Sequence, residues 1–173
     1  MKLNRFHVTC LLCALLAFPV TALAERADRD QPVNIEADRV TVDDRSKTHT
    51  FEGNVILTQG SLSIRGERLV VMQGADGFET GIATGGQDGL ARFRQRREGL
   101  DEYVEGEAVR IEYDTRSEQA KLFERAKVRS GGDEVRGDYI EYDALTEQYA
   151  ARSQRSAGSD GRVRAVIQPR GGN

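Results

Sequence analysis

Three acids, His49 and four clustered arginines stand out as groups whose types and spacing could support chemistry. Glu67, Glu107 and Asp138 each follow a glycine, and a pair of carboxylates facing across a cleft would be the machinery of glycoside hydrolysis. Their surroundings point elsewhere. Each belongs to a copy of one phrase: a small residue, an acid, any residue, then apolar positions two apart. The copies are Ala37-Asp38-Arg39-Val40-Thr41-Val42-Asp43, Gly66-Glu67-Arg68-Leu69-Val70-Val71-Met72, Gly106-Glu107-Ala108-Val109-Arg110-Ile111-Glu112 and Gly137-Asp138-Tyr139-Ile140-Glu141-Tyr142-Asp143. They start 29, 40 and 31 residues apart, so the acids recur with the repeat and read as structure.

His49 stands in Thr48-His49-Thr50 beside Phe51, without the companion ligands that a metal needs, and reads as a solvent-facing strand residue. The serines have no base to form a triad, and no Gly-rich phosphate loop of the ATPase type occurs. The expectation is a protein that is not an enzyme, with no cofactor and no metal site. Arg92, Arg94, Arg96 and Arg97 form a basic run able to meet phosphates by bidentate contacts, or simply a solvated loop.

The N-terminus has the layout of a cleaved export signal. Lys2 and Arg5 precede an apolar run from Cys10 to Phe18, and Ala22-Leu23-Ala24 is a small-x-small cleavage site. That run is shorter than the ~20 residues of a membrane span. Cleavage after Ala24 removes 1–24, including both cysteines, and leaves 149 of the 173 residues, one domain in size. Losing Lys2 and Arg5 lowers the basic residues from 25 to 23 against 28 acidic ones. A nucleic-acid partner, which calls for the opposite sign, is not expected.

What must position these residues is β-structure, because apolar spacing of two is the period of a strand with one covered face. Val33, Ile35 and Ala37 alternate, and Val40 and Val42 follow after a phase change that predicts a bulge. Strands are expected over 51–57 and 62–72, from Ala91 into the arginine run, and around 103–113, 120–129, 134–142 and 162–168. Turns are expected at 43–46, 74–77, 130–133 and 157–161, with a Gly-rich loop at 84–89. Segments 115–129 and 144–155 are rich in helix formers, but they fall where the repeat puts strands, and strands are preferred. Val33, Ile35, Val55, Leu57, Ile64, Leu69, Val71, Phe93, Val109, Ile111, Leu122 and Ile140 can share one interior, as a sandwich core or as the lining of a groove.

At Asp30-Gln31-Pro32-Val33-Asn34-Ile35-Glu36-Ala37-Asp38 and Phe51-Glu52-Gly53-Asn54-Val55-Ile56-Leu57-Thr58-Gln59-Gly60 the chain resembles the OstA-like (LptA) family of periplasmic lipopolysaccharide-transport proteins. Val104-Glu105-Gly106-Glu107 and Val135-Arg136-Gly137-Asp138 fit as well, and the likeness runs over about 30–168. One departure is Phe123-Glu124-Arg125-Ala126, where the family usually has a Thr-Gly-Asn-like turn.

The resemblance implies an all-β fold, a V-shaped, folded-over antiparallel jelly roll over 25–168 with an apolar interior open at its ends, then a flexible tail at 169–173. It implies a periplasmic carrier that shields the acyl chains of lipid A and moves lipopolysaccharide between two membranes. The donor would be the inner-membrane complex (LptC and the ATP-driven extractor LptBFG), the acceptor the outer-membrane translocon (LptD/LptE). The apolar set above then lines the lipid site, with Val33 and Ile35 near the entry and Arg92 and Arg94 as candidate phosphate contacts at the rim. Head-to-tail oligomers would form by strand addition between a first edge bearing Gln31 and Asn34 and a last edge bearing Arg164 and Val166. Readings of other classes are a related LptC-like module, a structural envelope filament and a carbohydrate-active β-solenoid enzyme. Lipid binding separates the carrier from the last two.

Overall fold

A computed structural model of the chain describes residues 28, 31–75, 77–97, 100–156 and 159–169. The expected leader lies outside these residues, as does the expected tail apart from Pro169. In chain order the strands are β1 (Asn34–Glu36), β2 (Arg39–Asp43), β3 (Thr48–Gln59), β4 (Leu62–Gly74), β5 (Gly77–Thr84), β6 (Ala91–Arg96), β7 (Tyr103–Ala108), β8 (Arg110–Asp114), β9 (Gln119–Ser130), β10 (Asp133–Asp143), β11 (Gln148–Arg152), β12 (Arg155–Ser156), β13 (Ser159–Asp160) and β14 (Arg164–Val166).

Four long strands, β3, β4, β9 and β10, change neighbours half-way along, and this builds the fold. Over one half they join β2, β5, β8 and β11 in the order β2-β3-β4-β5-β8-β9-β10-β11, which we call wing 1. Over the other half they join β1, β6, β7 and β14 in the order β1-β3-β4-β6-β7-β9-β10-β14, wing 2. All these pairings are antiparallel. Buried side chains from both wings form one cluster, so the wings fold face to face, an antiparallel jelly roll bent over on itself. The short β12–β13 ladder stands apart from the sheet.

The bend is where the repeated phrase falls. β3 breaks register between Glu52 and Val55, because Gly53 and Asn54 both take left-handed backbone, with φ of 84° and 49°. Across the bend the Asp38 amide donates to the Gly53 carbonyl at 3.0 Å, and Asn54 Nδ2 donates to Asp38 Oδ2 at 3.0 Å. The second half repeats the device. Val109 N donates to the carbonyl of Glu124 at 2.9 Å, and β10 shifts register between Gly137 and Tyr139. The Asp138 amide donates to Ser153 Oγ at 3.1 Å, and Asp138 Oδ2 accepts from the Gln154 amide at 2.8 Å.

The glycines of the phrase sit where a side chain would crowd its neighbours. A Cβ on Gly66 would lie 3.0 Å from the Thr84 carbonyl oxygen, and one on Gly137 would lie 2.9 Å from that of Arg152.

The departure at Phe123–Ala126 keeps the same geometry with other residues. Glu124 and Arg125 have φ of 62° and 54° and are exposed. Left-handed backbone costs an L-residue roughly 1–2 kcal/mol that glycine avoids. Glu124→Gly with Arg125→Asn, which copies the Gly53-Asn54 pair, is expected to raise the stability by about 1 kcal/mol. Urea unfolding of the two proteins measures it. An unchanged or lowered midpoint would show that the bend is not strained.

The structure corrects four expectations. The 103–113 strand is two strands, β7 and β8, split at Val109 opposite the left-handed pair of β9. The expected bulge after Ala37 is a break between β1 and β2 at the same bend. β5 was not expected, because its inward positions are Gly81 and Ala83, too small to show as alternation; Phe78 reaches over Gly81 to take up the space. The last strand is three residues long, not the seven of 162–168. Both helix-prone segments are extended: β9 and β11 have partners that outweigh propensity.

Candidate functional site

The candidate site is the apolar space between the wings. Val55, Leu57, Ile64, Leu69, Val71, Phe93, Ile111, Leu122 and Ile140 are buried in one cluster, with Val33 and Ile35 of the β1 edge packed partly buried against it. Val109 is the exception: it stands outside this cluster, half-buried at the break between β7 and β8. Inward residues that the sequence reading did not name include Leu62, Val104, Tyr113, Val128, Val135 and Tyr142. Their signal was present in the two-residue period of 62–72, 103–113, 120–129 and 134–142, once the break at Val109 and the register shift between Gly137 and Tyr139 are allowed for.

Toward the β1–β2 edge the wings enclose a cavity of about 660 Å³, within the range of small-molecule sites. Val33, Ile35, Phe51, Leu62, Val71 and Phe78 supply apolar wall, and His49, Gln59, Gln95 and Glu118 give it a polar fringe. His49 is therefore not a solvent-facing residue. It pairs across strands with Val71 and shares the inward face with Phe51, two positions on.

Toward the β11–β14 edge the interior is filled. The Phe93 ring of wing 2 stacks on the Tyr142 ring of wing 1, centroids 6.2 Å apart, beneath a clasp across the open side. Arg97, just past β6, makes a bidentate pair with Glu147 in the β10–β11 turn, with Nη2 to Oε2 at 2.6 Å and Nε to Oε1 at 3.2 Å. Its Nη1 also holds Glu102 at 2.9 Å.

Arg92 and Arg94 are not at this rim. They flank inward-pointing Phe93 and so project from the outer face of wing 2. Arg92 Nε meets Glu107 at 3.4 Å and Arg94 Nε meets Glu105 at 3.3 Å. Asn34 lies on β1, and Arg164 and Val166 lie on β14; among the described residues each strand has a ladder partner on one side, β3 and β10 respectively. Gln31 precedes β1, and its carbonyl accepts from Gln59 Nε2 at 3.2 Å. No group of three or more His, Cys, Asp or Glu converges as a metal site among the described residues.

Three hairpins of wing 1 share one turn chemistry that the sequence shows as Asp-x-x-Ser/Thr. Asp43, Asp114 and Asp143 each accept amide hydrogens from the turn that follows. Those bonds, first of all from Ser46, Ser117 and Thr146, hold the three carboxyls below their ordinary value of 3.8. A lowered folded-state pKa adds stability above the unfolded value, and that stability is lost as pH falls through the folded one. Urea midpoints are expected to be flat from neutral pH down to about 5 and to drop below about 4. An Asp43→Asn/Asp114→Asn/Asp143→Asn variant, which keeps the acceptors and removes the titration, should show a shallower acid drop. An equally steep one would assign the acid sensitivity elsewhere.

Residues 34–148 match the family described as LptA/(LptD N-terminal domain) LPS transport protein. The chain belongs to this family. It is 30% identical over 171 residues to the lipopolysaccharide export system protein LptA of Escherichia coli strain K12, covering 97% of this chain and 88% of that protein. It is 28% identical over 154 residues to the lipopolysaccharide export system protein LptH of Pseudomonas aeruginosa, covering 86% of each. The crystal structure of LptH, the LptA-homologous periplasmic component of the lipopolysaccharide transport device of P. aeruginosa, superposes with a TM-score of 0.73. That match is 28% identical and covers 83% of this chain and 99% of LptH. Among the described residues no helix is long and apolar enough to cross a membrane.

Proposed function

We propose that this chain is a non-enzymatic, periplasmic carrier of lipopolysaccharide, in keeping with the names of its relatives. It would hold the acyl chains of lipid A between its wings and pass the lipid from the inner-membrane complex of LptC and LptBFG toward the outer-membrane translocon LptD/LptE. The observation that carries this reading is the cavity at the β1–β2 edge, whose apolar wall runs into the buried cluster of both wings. The physical need is plain: each methylene in water costs ~0.8 kcal/mol, so a twelve-carbon acyl chain costs on the order of 9 kcal/mol. An apolar trough removes that cost while the sugar stays in water.

The edges support a second part of the proposal. β1 and β2 close one end of the sheet and β11 and β14 the other. Adding one copy's last strands to the next copy's first is a heterologous contact that does not close, and it extends the trough from copy to copy.

The test is a photo-crosslinking residue placed at Ile35, and separately at Asp143 on the outer face of wing 1, in the exported protein in cells. A lipopolysaccharide adduct at Ile35 and none at Asp143 is the expected result. No adduct at Ile35 in a folded, exported protein would return the interior to ordinary core and favour a structural filament.

A further inference from the structure

The outer face of wing 2 carries charge that the carrier reading leaves unused. One row of cross-strand neighbours reads Arg65, Arg92, Glu107, Lys127, Arg136, Arg164, on β4, β6, β7, β9, β10 and β14 in turn. At ~4.8 Å between strands this row is ~24 Å long. Arg94 and Arg129 lie one row further from the bend, and Arg125 and Arg162 flank its other side.

The face is recessed. Two open depressions of about 280 and 360 Å³ lie along the row and meet at Glu107 and Lys127, which line both; together they are the groove of this face. Its lining holds nine cations against three acids, Glu105, Glu107 and Asp138, a formal +6 in a chain whose net charge is −3. Asp88 and Glu134 pair with groove arginines from the margins, and Arg162 and Arg164 have further partners of their own. Such segregation of charge favours an anionic ligand locally while the whole molecule repels one.

The chemistry of the cations narrows the class. Eight of the nine are arginine, whose planar fork matches phosphate and carboxylate bidentately. Half-buried Glu107 fixes two neighbours, Lys127 Nζ at 2.5 Å and Arg92 Nε at 3.4 Å, so the middle of the row is ordered in advance. The one aromatic residue in the lining, Phe93, is 3% exposed, which leaves no ring on which a base could stack. A planar bilayer would touch the rims of the recess rather than its floor.

We propose that this groove binds a linear anionic saccharide, successive arginines gripping its phosphate or carboxylate groups. The inference rests on the carrier reading for its source, the sugar portion of the cargo lipid; a free polyanion such as polyphosphate has the same chemistry.

The test uses the leaderless chain and deacylated, phosphate-bearing lipopolysaccharide core saccharide, titrated by calorimetry. Having no acyl chains, this probe reports on the groove alone, and the Ile35 crosslink reports on the interior, so the two readings fail separately. Binding is expected at low salt and should weaken at least about tenfold between 50 and 200 mM salt. It should also fall at least tenfold after enzymatic dephosphorylation. Arg65→Gln/Arg129→Gln/Arg136→Gln and, independently, Arg162→Gln/Arg164→Gln should each weaken it at least about fivefold. Arg39→Gln/Arg68→Gln/Arg152→Gln, which removes as much charge from wing 1 as the first variant does from wing 2, should change it less than twofold. No binding at low salt, or equal losses in the wing 1 and wing 2 variants, overturns the proposal. Binding of inorganic polyphosphate but not of the saccharide overturns the assignment to a saccharide. Matching circular dichroism spectra confirm that each variant is folded.

Discussion

Ile35→Asp is expected to weaken capture of lipopolysaccharide more than tenfold while the protein stays folded. Ile35 sits on a three-residue edge strand, half-buried, with its side chain on the wall of the 660 Å³ cavity. A carboxylate there is still hydrated in the empty protein, so folding is little disturbed. An acyl chain entering the cavity must strip that water, and a stripped carboxylate costs well above the 1.4 kcal/mol of one tenfold step. Leu122→Asp would not test the same idea. Leu122 is 0% exposed at the centre of the cluster, and a charge there has no hydrated state in the folded protein, so the substitution reports on folding alone. The measurement is displacement of a fluorescent acyl probe by lipopolysaccharide, with unfolding midpoints taken alongside. A folded Ile35→Asp protein that binds as the parent does would remove Ile35 from the lining.

Gly106→Val should destabilise the fold by about 2–3 kcal/mol, the upper part of the range for overpacking. Gly106 is the small residue of the third repeat and lies inward in β7. A Cβ there would lie 2.1 Å from Cε1 of Phe93 and 3.0 Å from Cδ2 of Leu122. Phe93 has little room to move, since its other face stacks on Tyr142. The missing side chain is thus the space that the ring occupies, and the ring joins the wings. Thermal and urea unfolding measure the loss, and Gly106→Val/Phe93→Ala should recover part of it. A Gly106→Val protein of parental stability would show that the ring can swing aside.

The outline of the fold was legible because the repeat states it. Two-residue alternation gave the strand class, and the small-acid phrase recurs because each copy lies at or beside the bend. There the glycines leave room for a neighbouring carbonyl or ring, and Asp38, Glu107 and Asp138 bind an asparagine, a lysine and an amide respectively. What the sequence hid follows from the same bend. Val109 fits the apolar period, yet the left-handed pair of the adjoining strand ends that period beneath it. β5 escaped notice because glycine and alanine face inward there. His49 was read outward because its neighbours are threonines, although its parity with Phe51 turns it inward. The arginine run reads as one basic cluster, but alternation sends Arg92 and Arg94 to the outer face, and Arg97, just past the strand, closes on Glu147. The groove on wing 2 was hidden for a different reason: its cations come from five strands and meet only through register.

The left-handed pairs Gly53-Asn54 and Glu124-Arg125 lie on one line running across the strands, with Arg97 and Glu147 joined on the opposite margin. This is the layout of a book with a spine and a hook on the fore-edge. Widening the angle between the covers needs torsion changes at a few spine residues and leaves the ladders within each cover intact, whereas sliding one cover along the other would shear the four strands that cross the spine. Opening would also part Phe93 from Tyr142 and expose the cluster that both covers share, so the book is held shut by its pages as well as by its hook.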